Sequence, residues 1–251
     1  MEKHEYEVMY HIEDDYWWYV GLRDLVFSFI DTFRSDNSVN NLRILDAGCG
    51  TGAVLQRLKD YGESYGIDSS EEAIVFCKKR GLHHVIEASV TNLPFADRSF
   101  DVIISLDVLY HLWVESDLEA LQALHRVLRN GGLLILNLPA YDFLRSEHDA
   151  AIYTGHRYLE DELKRKVERA GFCVAKITYR NTMLFPLVLI IRLLKRGNTG
   201  GNTRSDLKPL PRILNQFLTK ILFFENRLLR TQDFPFGLSV FCLAKKLDRV
   251  S

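Results

Sequence analysis

The sequence has few of the features that cross-link a chain or direct it to a membrane. Its 251 residues include only four cysteines, which form no C-x-x-C pair and no cysteine and histidine spacing suited to zinc. The first residues are acidic and aromatic and lack the basic start and apolar core of a signal peptide. The most lipid-like run, 183–191, is interrupted by Pro186 and falls short of the roughly 20 apolar residues of a spanning helix. We therefore expect reduced thiols, a cytoplasmic location and no transmembrane helix.

A charge excess is also missing. Lys and Arg number 32 and Asp and Glu number 33, which gives a formal net charge of -1, and 47% of the residues are hydrophobic. This composition is ordinary for one globular domain and carries no sign of polyanion binding, so nucleic acid is not an expected partner. The rear of the chain is nevertheless basic, because from 176 to 230 the only acidic residues are Asp206 and Glu225.

From residue 42 onward, short apolar runs alternate with helical stretches, after an amphipathic helix predicted at 22–33. The predicted strands are 42–46, 64–68, 84–87, 100–106, 133–138, 172–178 and 238–244. The predicted helices between them are 53–59, 70–79, 117–129 and 159–169. Such alternation with nearly continuous apolar strands indicates a parallel sheet covered on both faces. We therefore predict an α/β fold, Rossmann-like and doubly wound, with a mostly parallel seven-stranded sheet.

The first predicted strand runs into three alternating glycines in the segment I-L-D-A-G-C-G-T-G at 44–52. Such a turn is tight and bare enough for a ligand to touch the backbone. A nicotinamide dinucleotide would favour the spacing G-x-G-x-x-G, with its pyrophosphate at the helix start. Here the spacing is G-x-G-x-G and Asp46 precedes it, which repels phosphates but suits the ammonium of a methionine moiety. A plain strand-to-helix turn is the alternative interpretation.

The second predicted strand ends at Asp68, which is followed by Ser69 and Ser70. Nucleotide-binding α/β folds place an acid here for the ribose hydroxyls. The same residues could instead serve as the N-cap of the next helix, and we expect Ser70 to cap it in either case.

Four segments together resemble the ordered motifs of class I methyltransferases that use S-adenosylmethionine (SAM). They are I-L-D-A-G-C-G-T-G at 44–52, Y-G-I-D-S-S at 65–70, S-V-T-N-L-P-F at 89–95 and S-F-D-V at 99–102. The resemblance implies SAM as the methyl donor and S-adenosylhomocysteine as the product. The implied cofactor-binding residues in these segments and at the end of the fourth strand are Asp46, Ala47, Gly48, Gly50, Asp68, Ser69, Ser89, Val90 and Leu106.

The resemblance also implies a role for most of these residues. Gly48 and Gly50 would pass close to the methionine part, Asp68 would bind the ribose, and Leu106 would lie near the sulfonium. Ser89 and Val90 would flank the adenine. The sequence departs from the pattern of that family here, because many of its members carry Asp where this sequence has Ser89. The resemblance therefore implies a weaker contact with the adenine.

A wider resemblance covers both flanks of this core. The run Tyr16-Trp17-Trp18-Tyr19 with Arg23 is similar to the aromatic and arginine entry of bacterial methyltransferases in glycan or natural-product pathways. Weaker matches lie at 148–149, 155–158, 184–186 and 234–239. The substrates of that group are too diverse to indicate an acceptor.

Methyl transfer from a sulfonium is an in-line displacement that needs no metal, so the protein must chiefly orient the reactants and exclude water. We expect an aromatic lid, since aromatic faces also tolerate a cation. The lid candidates are Tyr10, Tyr16, Trp17 and Trp18. Arg23 follows them and could reach the methionine carboxylate. Alternatively, the aromatic residues cap the sheet, and Arg23 pairs with Asp24 or Glu13.

Three histidines are candidates for acceptor deprotonation. His111 is the first choice, because imidazole titrates near neutral pH and this residue lies just beyond the fourth strand, on the edge where parallel-sheet sites form. His148 and His156 follow the fifth strand, where Asp149 could orient His148 and Arg157 could bind an acidic acceptor. Each histidine could instead be a solvated or backbone-bonded loop residue.

We interpret residues 1–251 as a single methyltransferase domain. Its parts are an N-terminal helical lid at 1–40, a SAM-binding core at 41–180, an apolar and basic helical insertion at 181–236, and a closing strand and tail at 237–251. The insertion could roof the acceptor pocket, form a homodimer face, or rest on an anionic membrane through 183–230. The roof is preferred, because the insertion precedes the last strand, on the side where the acceptor should enter.

These observations predict transfer of a methyl group from SAM to oxygen or nitrogen, with carbon still open, of a small and partly apolar metabolite. Three alternatives remain. The chain could be a peripheral membrane enzyme for a lipid-linked or quinone substrate, or a SAM-binding regulatory module without turnover. An NAD-dependent oxidoreductase is disfavoured by Asp46 and the glycine spacing.

Overall fold

A computed structural model describes residues 3–146, 149, 152–195 and 210–247. Its strands are β1 Leu42–Ala47, β2 Gly62–Asp68, β3 Val85–Glu87, β4 Phe100–Leu106, β5 Leu128–Pro139, β6 Cys173–Arg180 and β7 Ser239–Lys245. They form a seven-stranded sheet in the order β3-β2-β1-β4-β5-β7-β6. The first five strands are parallel, and β7 runs antiparallel between β5 and β6. The predicted Rossmann-like α/β fold is confirmed.

Helices cover both faces of this sheet. They are α1 Lys3–Ile12, α2 Trp17–Asn37, α3 Ala53–Leu58, α4 Glu71–Lys79, α5 Asp117–Val127, α6 Glu160–Arg169, α7 Phe185–Lys195 and α8 Arg212–Leu229. The helix predicted at 22–33 begins at Trp17 instead. Most of the aromatic head, by which we mean the segment with Tyr10, Tyr16, Trp17 and Trp18, is therefore helical. The apolar stripe marks only the buried face of a helix, and it therefore misses a first turn whose aromatic residues lie at other angles.

Two apolar layers hold the helices on the sheet. On one face, Leu124 of α5 and Leu163 of α6 pack in a buried cluster with strand residues such as Leu134. On the other face, Leu25 of α2 and Leu55 of α3 pack with their own strand neighbours. Because apolar burial stabilises by about 25 cal/mol per Å², these layers hold the sheet firmly, and the carboxyl edge of the parallel strands is left for binding.

The insertion before β7 packs directly on the N-terminal helices. A Cβ atom on Gly21 of α2 would lie 2.4 Å from Leu222 Cδ1 of α8, so the glycine allows the two helices to approach closely. Asn226 of α8 donates from Nδ2 to the Gly21 carbonyl at 2.8 Å and to Asp24 Oδ2 at 2.9 Å. Asn215 Oδ1 accepts from the Trp17 backbone at 2.9 Å. The rear of the chain therefore supports the aromatic head.

Across the described part of the chain, no helix combines the length and the apolar composition needed to traverse a bilayer. The predicted segment 183–191 lies partly in α7, which begins at Phe185 and ends at Lys195.

Candidate active site

A cavity of about 1200 Å³ opens at the carboxyl edge of the parallel strands, where the order reverses between β1 and β4. The predicted site residues that line it are Tyr16, Trp17, Arg23, Asp46, Gly48, Gly50, Asp68, Ser69, Ser89, Val90, Leu106 and His111. Ala47 and His156 are not among its lining residues. His148 lies outside the described residues.

The glycine turn connects β1 to α3 beside the end of β2. The amides of Gly48 and Cys49 both donate to the Ile67 carbonyl at 2.8 Å, which turns the chain sharply. Gly48 has φ of 94°, and a Cβ atom there would lie 2.1 Å from Val108 Cγ2. A side chain at this position would be both strained and obstructed. Ala47 lies beneath the turn, where its carbonyl accepts from Ser105 Oγ at 3.0 Å.

Three carboxylates surround this turn, and their charges act on one another. Asp46 is buried, and its pKa is raised to about 8, first by burial and then by the charges of Asp68 and Glu13. Burial also raises the pKa values of Asp68 and Glu13. A pyrophosphate would add charge of the same sign here, whereas an ammonium group would relieve the repulsion. These three carboxylates therefore suit the ammonium end of SAM better than the pyrophosphate of a dinucleotide.

Asp68 ends β2 and is held by the turn and by α4. Its Oδ2 accepts from the Gly50 amide and its Oδ1 from the Ser70 amide, both at 3.0 Å. The Tyr6 hydroxyl of α1 lies 3.5 Å from Oδ1. Ser70 is the N-cap residue of α4, as expected, but its side chain makes no capping bond, and its hydroxyl donates to Glu72 Oε2 at 3.0 Å. Asp68 accepts from the Ser70 amide and also lines the cavity.

Asp46, the glycine turn, Asp68 and the loop after β3 together form the part of the cavity that we call the donor side. Ser89 and Val90 lie in that loop. The Ser89 and Thr91 hydroxyl oxygens are 2.7 Å apart, and Ser89 Oγ also accepts from the Thr91 amide at 3.2 Å. The Ser89 hydroxyl is therefore engaged by its own loop. Val90 is buried and presents an apolar surface to the cavity.

The aromatic head is tied to the donor side by Arg23 and Glu13. Arg23 donates from Nη1 to the Glu13 carbonyl at 2.5 Å and from Nη2 to the Asp14 carbonyl at 2.6 Å. The Glu13 carboxylate pairs with Arg80 at 2.9 Å and accepts from the Thr51 hydroxyl. Arg23 therefore binds backbone carbonyls between α1 and α2, and its buried Nε has no partner among the described residues.

Sequence reasoning missed the parts played by Glu13, Arg80 and Tyr6. Each acts on a residue far away in the chain, such as Thr51 or Asp68, and no short motif connects such pairs. The acidic composition of the head was the only available signal.

The rest of the cavity lining, which comes from the segment after β4, the loop before α6, α7 and the start of β7, is called the acceptor side, and it includes His111. Its Nδ1 is 2.8 Å from the Ile152 carbonyl, which makes this nitrogen the donor, and its ring stacks on Trp113 at 4.0 Å. Burial is the main cause that lowers the pKa of His111 to about 3. The imidazole is consequently neutral at physiological pH and is a weak base.

The other predicted acceptor-side groups are engaged by the protein. His156 Nε2 lies 2.9 Å from Glu162 Oε1, on the α6 side. Asp149 binds Arg157 through both carboxylate oxygens, at 2.8 Å to Nε and 3.0 Å to Nη2. Arg157 also donates to the Ala140 carbonyl at 3.0 Å, so the buried pair forms a rigid wall of the cavity. Arg157 therefore binds both carboxylate oxygens of Asp149. Asp149 is the residue that we expected to orient His148.

Asp107 is a cavity residue that the sequence reasoning missed. It follows β4 with φ of 58°, and its Oδ1 accepts from Asn137 Nδ2 at 2.9 Å. Burial raises its pKa to about 6, although Arg180 and Asn137 oppose the shift. The available signal was its place directly after a predicted strand at the switch point.

The rear of the chain supplies the apolar wall. Val188 and Ile191 of α7, together with Leu210 and Leu238, line the cavity. Arg192 lines it as well and donates to the Leu144 carbonyl. The acceptor side therefore combines an apolar wall with basic side chains.

Comparison with known proteins identifies a methyltransferase domain at residues 45–136. An uncharacterised protein of Methanocaldococcus jannaschii is 33% identical over 164 residues, which cover 64% of this chain and 68% of that protein. Malonyl-[acyl-carrier protein] O-methyltransferase 1 of Coxiella burnetii is 36% identical over 142 residues, 55% of this chain and 46% of the relative. The chain thus spans about half the length of several curated relatives.

A solved SAM-dependent methyltransferase from Archaeoglobus fulgidus matches with a TM-score of 0.57 and 22% identity, over 90% of this chain and 93% of that one. This likeness extends the shared fold to nearly the whole chain. Another relative, 28% identical over 66% of this chain and 59% of its own length, is a tRNA U34 carboxymethyltransferase of Idiomarina loihiensis. The expectation that nucleic acid is no partner therefore finds no support among the relatives.

Proposed function

We propose that this chain, which belongs to the class I SAM-dependent methyltransferases, methylates an oxygen or nitrogen of a small, partly apolar metabolite. Its cofactor is SAM, and S-adenosylhomocysteine is the product. The observation that carries the proposal is one continuous cavity whose donor side is acidic and whose acceptor side is apolar and basic. Methylation of carbon remains within the proposal.

The residues of the donor side would hold SAM by complementary chemistry. Asp46 would receive the ammonium of the methionine part, Asp68 the ribose hydroxyls, and Val90 the adenine face. When bound, SAM supplies an electrophilic methyl group on a positively charged sulfur. The rings of Trp17 and Tyr16 tolerate that positive charge and exclude water, so this aromatic lid favours transfer to an acceptor over hydrolysis.

The acceptor side favours a small molecule. Its apolar wall and the buried pair of Arg157 and Asp149 enclose a volume suited to a metabolite with one polar end. The balanced net charge of -1 supports a small molecule over tRNA, because nucleic-acid binding draws most of its affinity from phosphate contacts. A cytoplasmic location agrees with the scattered thiols.

The test is to incubate the protein with methyl-labelled SAM and host extract separated into metabolite, RNA and protein fractions. We expect label in the metabolite fraction, and less of it with Asp68→Ala as the donor-site control at a limiting concentration of SAM. Label confined to RNA or protein would contradict the proposed acceptor. Binding of SAM without label in any fraction would favour a regulatory module.

A second candidate is a peripheral membrane enzyme that acts on a lipid-linked or quinone substrate. It is favoured by α8, where Ile213 is 84% exposed and Phe217 and Phe224 are also exposed. The exposed charges of this helix are basic, because its single carboxylate, Glu225, is buried. An apolar and basic surface suits anionic lipid.

Co-sedimentation with anionic vesicles tests this second candidate. Binding that is abolished by the double charge reversal Arg212→Glu and Lys220→Glu would favour it, with neutral vesicles as the control. Equal recovery in the supernatant with and without vesicles would exclude it. A mass measurement on the same samples would detect a homodimer through 183–230.

A further inference from the structure

We infer that Asp107, in place of His111, accepts the proton of the acceptor nucleophile. The acceptor is then a molecule that presents an N–H or O–H group to the donor. Carbon nucleophiles, which the proposed function left open, are thereby disfavoured. This inference rests on the proposed methyltransferase function. It is carried by the position of Asp107 and by the engagement of Glu13, Asp68 and Asp149 with other groups of the protein.

Asp107 lies where the donor and acceptor sides meet. It follows Leu106 at the carboxyl end of β4, beside β1 at the switch point of the sheet. The next residue, Val108, packs against Gly48 of the donor turn, and His111 lies one turn further into the acceptor side. No other carboxylate of the described cavity lining lies on this connection.

Asp107 is held in place by β5. Its backbone amide donates to the Asn137 carbonyl at 2.8 Å, and its carboxylate accepts from the Asn137 side chain at 2.9 Å. These two contacts stabilise a positive φ that is uncommon for residues other than glycine, although Asp and Asn tolerate it. Such strain at a ligand-binding edge is consistent with a functional position.

Three of the four other carboxylates of the cavity lining are bound by protein groups. Glu13 pairs with Arg80 and accepts from Thr51, and Asp149 pairs with Arg157 through both oxygens. Asp68 accepts from two backbone amides. Asp46 lies in β1, directly before the glycine turn, and not in the segment that follows β4. Asp107 has no ion pair among the described residues and keeps one oxygen outside its bond to Asn137.

The surroundings of Asp107 set its basicity. Burial raises its pKa to about 6, and the positive charges of Arg180 and Arg157 together with the Asn137 bond limit that rise. The neighbouring Tyr19 and Tyr110 hydroxyls stay protonated, because burial raises their pKa values. A general base works best when its pKa is near the working pH, which favours Asp107 over His111, whose pKa is about 3.

The proton transfer balances as follows. The acceptor X–H forms an X–C bond to the methyl carbon as the C–S bond breaks, and that electron pair remains on sulfur. The X–H proton passes to the ionised carboxylate of Asp107, which later releases it to water. No oxidant, reductant or metal enters the step.

The test uses sinefungin and S-adenosylhomocysteine, because sinefungin carries a protonated amine at the position from which SAM donates its methyl group. Calorimetry with the wild-type chain should show that sinefungin binds more tightly than S-adenosylhomocysteine at about pH 8, where Asp107 is ionised. This preference for sinefungin should be smaller at about pH 5, where Asp107 is mostly protonated. Asp107→Asn should reduce the preference about tenfold to a hundredfold, the range of a hydrogen bond to a charged group. Its affinity for S-adenosylhomocysteine should be unchanged.

The control is Asp60→Asn, which removes an exposed carboxylate outside the cavity lining and should leave the sinefungin preference intact. Asn137→Ala provides a second variant, which should move the pH midpoint of the preference upward because it deletes a bond to the ionised carboxylate. An unchanged preference in Asp107→Asn overturns the inference, and so does the loss of S-adenosylhomocysteine binding, which would assign Asp107 to the donor side. Failure of both compounds to bind the wild-type chain would instead contradict the proposed function.

Discussion

The donor and acceptor halves of the cavity are assembled in different ways. The donor half uses short segments at the ends of strands, such as 46–50 at the end of β1 and 68–70 at the end of β2. The acceptor half combines residues from the loop before α6, from α7 and from the start of β7. A cofactor shared by a family can be recognised by local motifs at strand ends, whereas the acceptor is recognised by residues that only tertiary packing brings together.

The largest effect should come from Gly48→Val in the donor half. The positive φ and the approach of Val108 leave no room for the side chain, so we expect SAM binding to fall below detection by calorimetry. Gly131→Asn is the matched control, since Gly131 also has a positive φ but has open space around it. Near-normal affinity in Gly48→Val would show that the turn does not contact the cofactor.

Asp68→Ala should weaken SAM binding by about 1–3 kcal/mol, the scale of a lost hydrogen bond to a charged group. Calorimetry measures the change, and circular dichroism checks that the loss of the Gly50 and Ser70 contacts leaves the fold intact. Asp60→Ala, at an exposed position before β2, is the control. Unchanged affinity would remove Asp68 from the donor half.

Asp46→Asn should separate stability from binding through pH. The folded-state pKa of Asp46, about 8, lies above its ordinary value of 3.8. The protonated form therefore stabilises the fold, and this stability is lost as the pH rises from about 4 through about 8. Without cofactor, the variant should melt above the wild type at high pH, by about 2–4 °C for each kcal/mol relieved.

The same Asp46→Asn variant should bind SAM more weakly, because it lacks the charge that receives the ammonium. Thermal melts across the pH range, with and without SAM, measure both effects. The same pH dependence of the melting temperature in both proteins would mean that the pKa of Asp46 is not raised in the empty site.

The smallest donor-side effect should follow His111→Ala in the acceptor half. SAM affinity should stay within about twofold of the wild type, since His111 contacts the Ile152 carbonyl and Trp113 and its low pKa makes it neutral. Turnover of the true acceptor should fall, because the ring helps to shape that half. Normal turnover would exclude His111 from catalysis, and a large loss of SAM affinity would show that the two halves are coupled.

The sequence predicted the elements whose pattern is local. β4 matches the predicted 100–106, and the glycine turn and Asp68 lie at the strand ends where they were expected. The start of α2 was misplaced, because apolar spacing identifies only the buried face of a helix. β5 begins at Leu128 and not at 133, because Leu128 pairs with Phe100 across an irregularity in the ladder.

Contacts between distant segments could not be predicted in the same way. The bond between Glu13 and Thr51 joins the head to the donor turn, and the pair of Asp149 and Arg157 defines the acceptor wall. Asp107 escaped notice because its significance depends on its raised pKa and on its bond to Asn137, neither of which is visible in the residues around it.

The central claim, that the acidic glycine turn selects SAM over a dinucleotide, is tested most directly by calorimetry of the wild-type chain with SAM, S-adenosylhomocysteine and NAD. We predict that SAM and S-adenosylhomocysteine bind at one site per chain and that NAD does not bind. Tight NAD binding without SAM binding would contradict it.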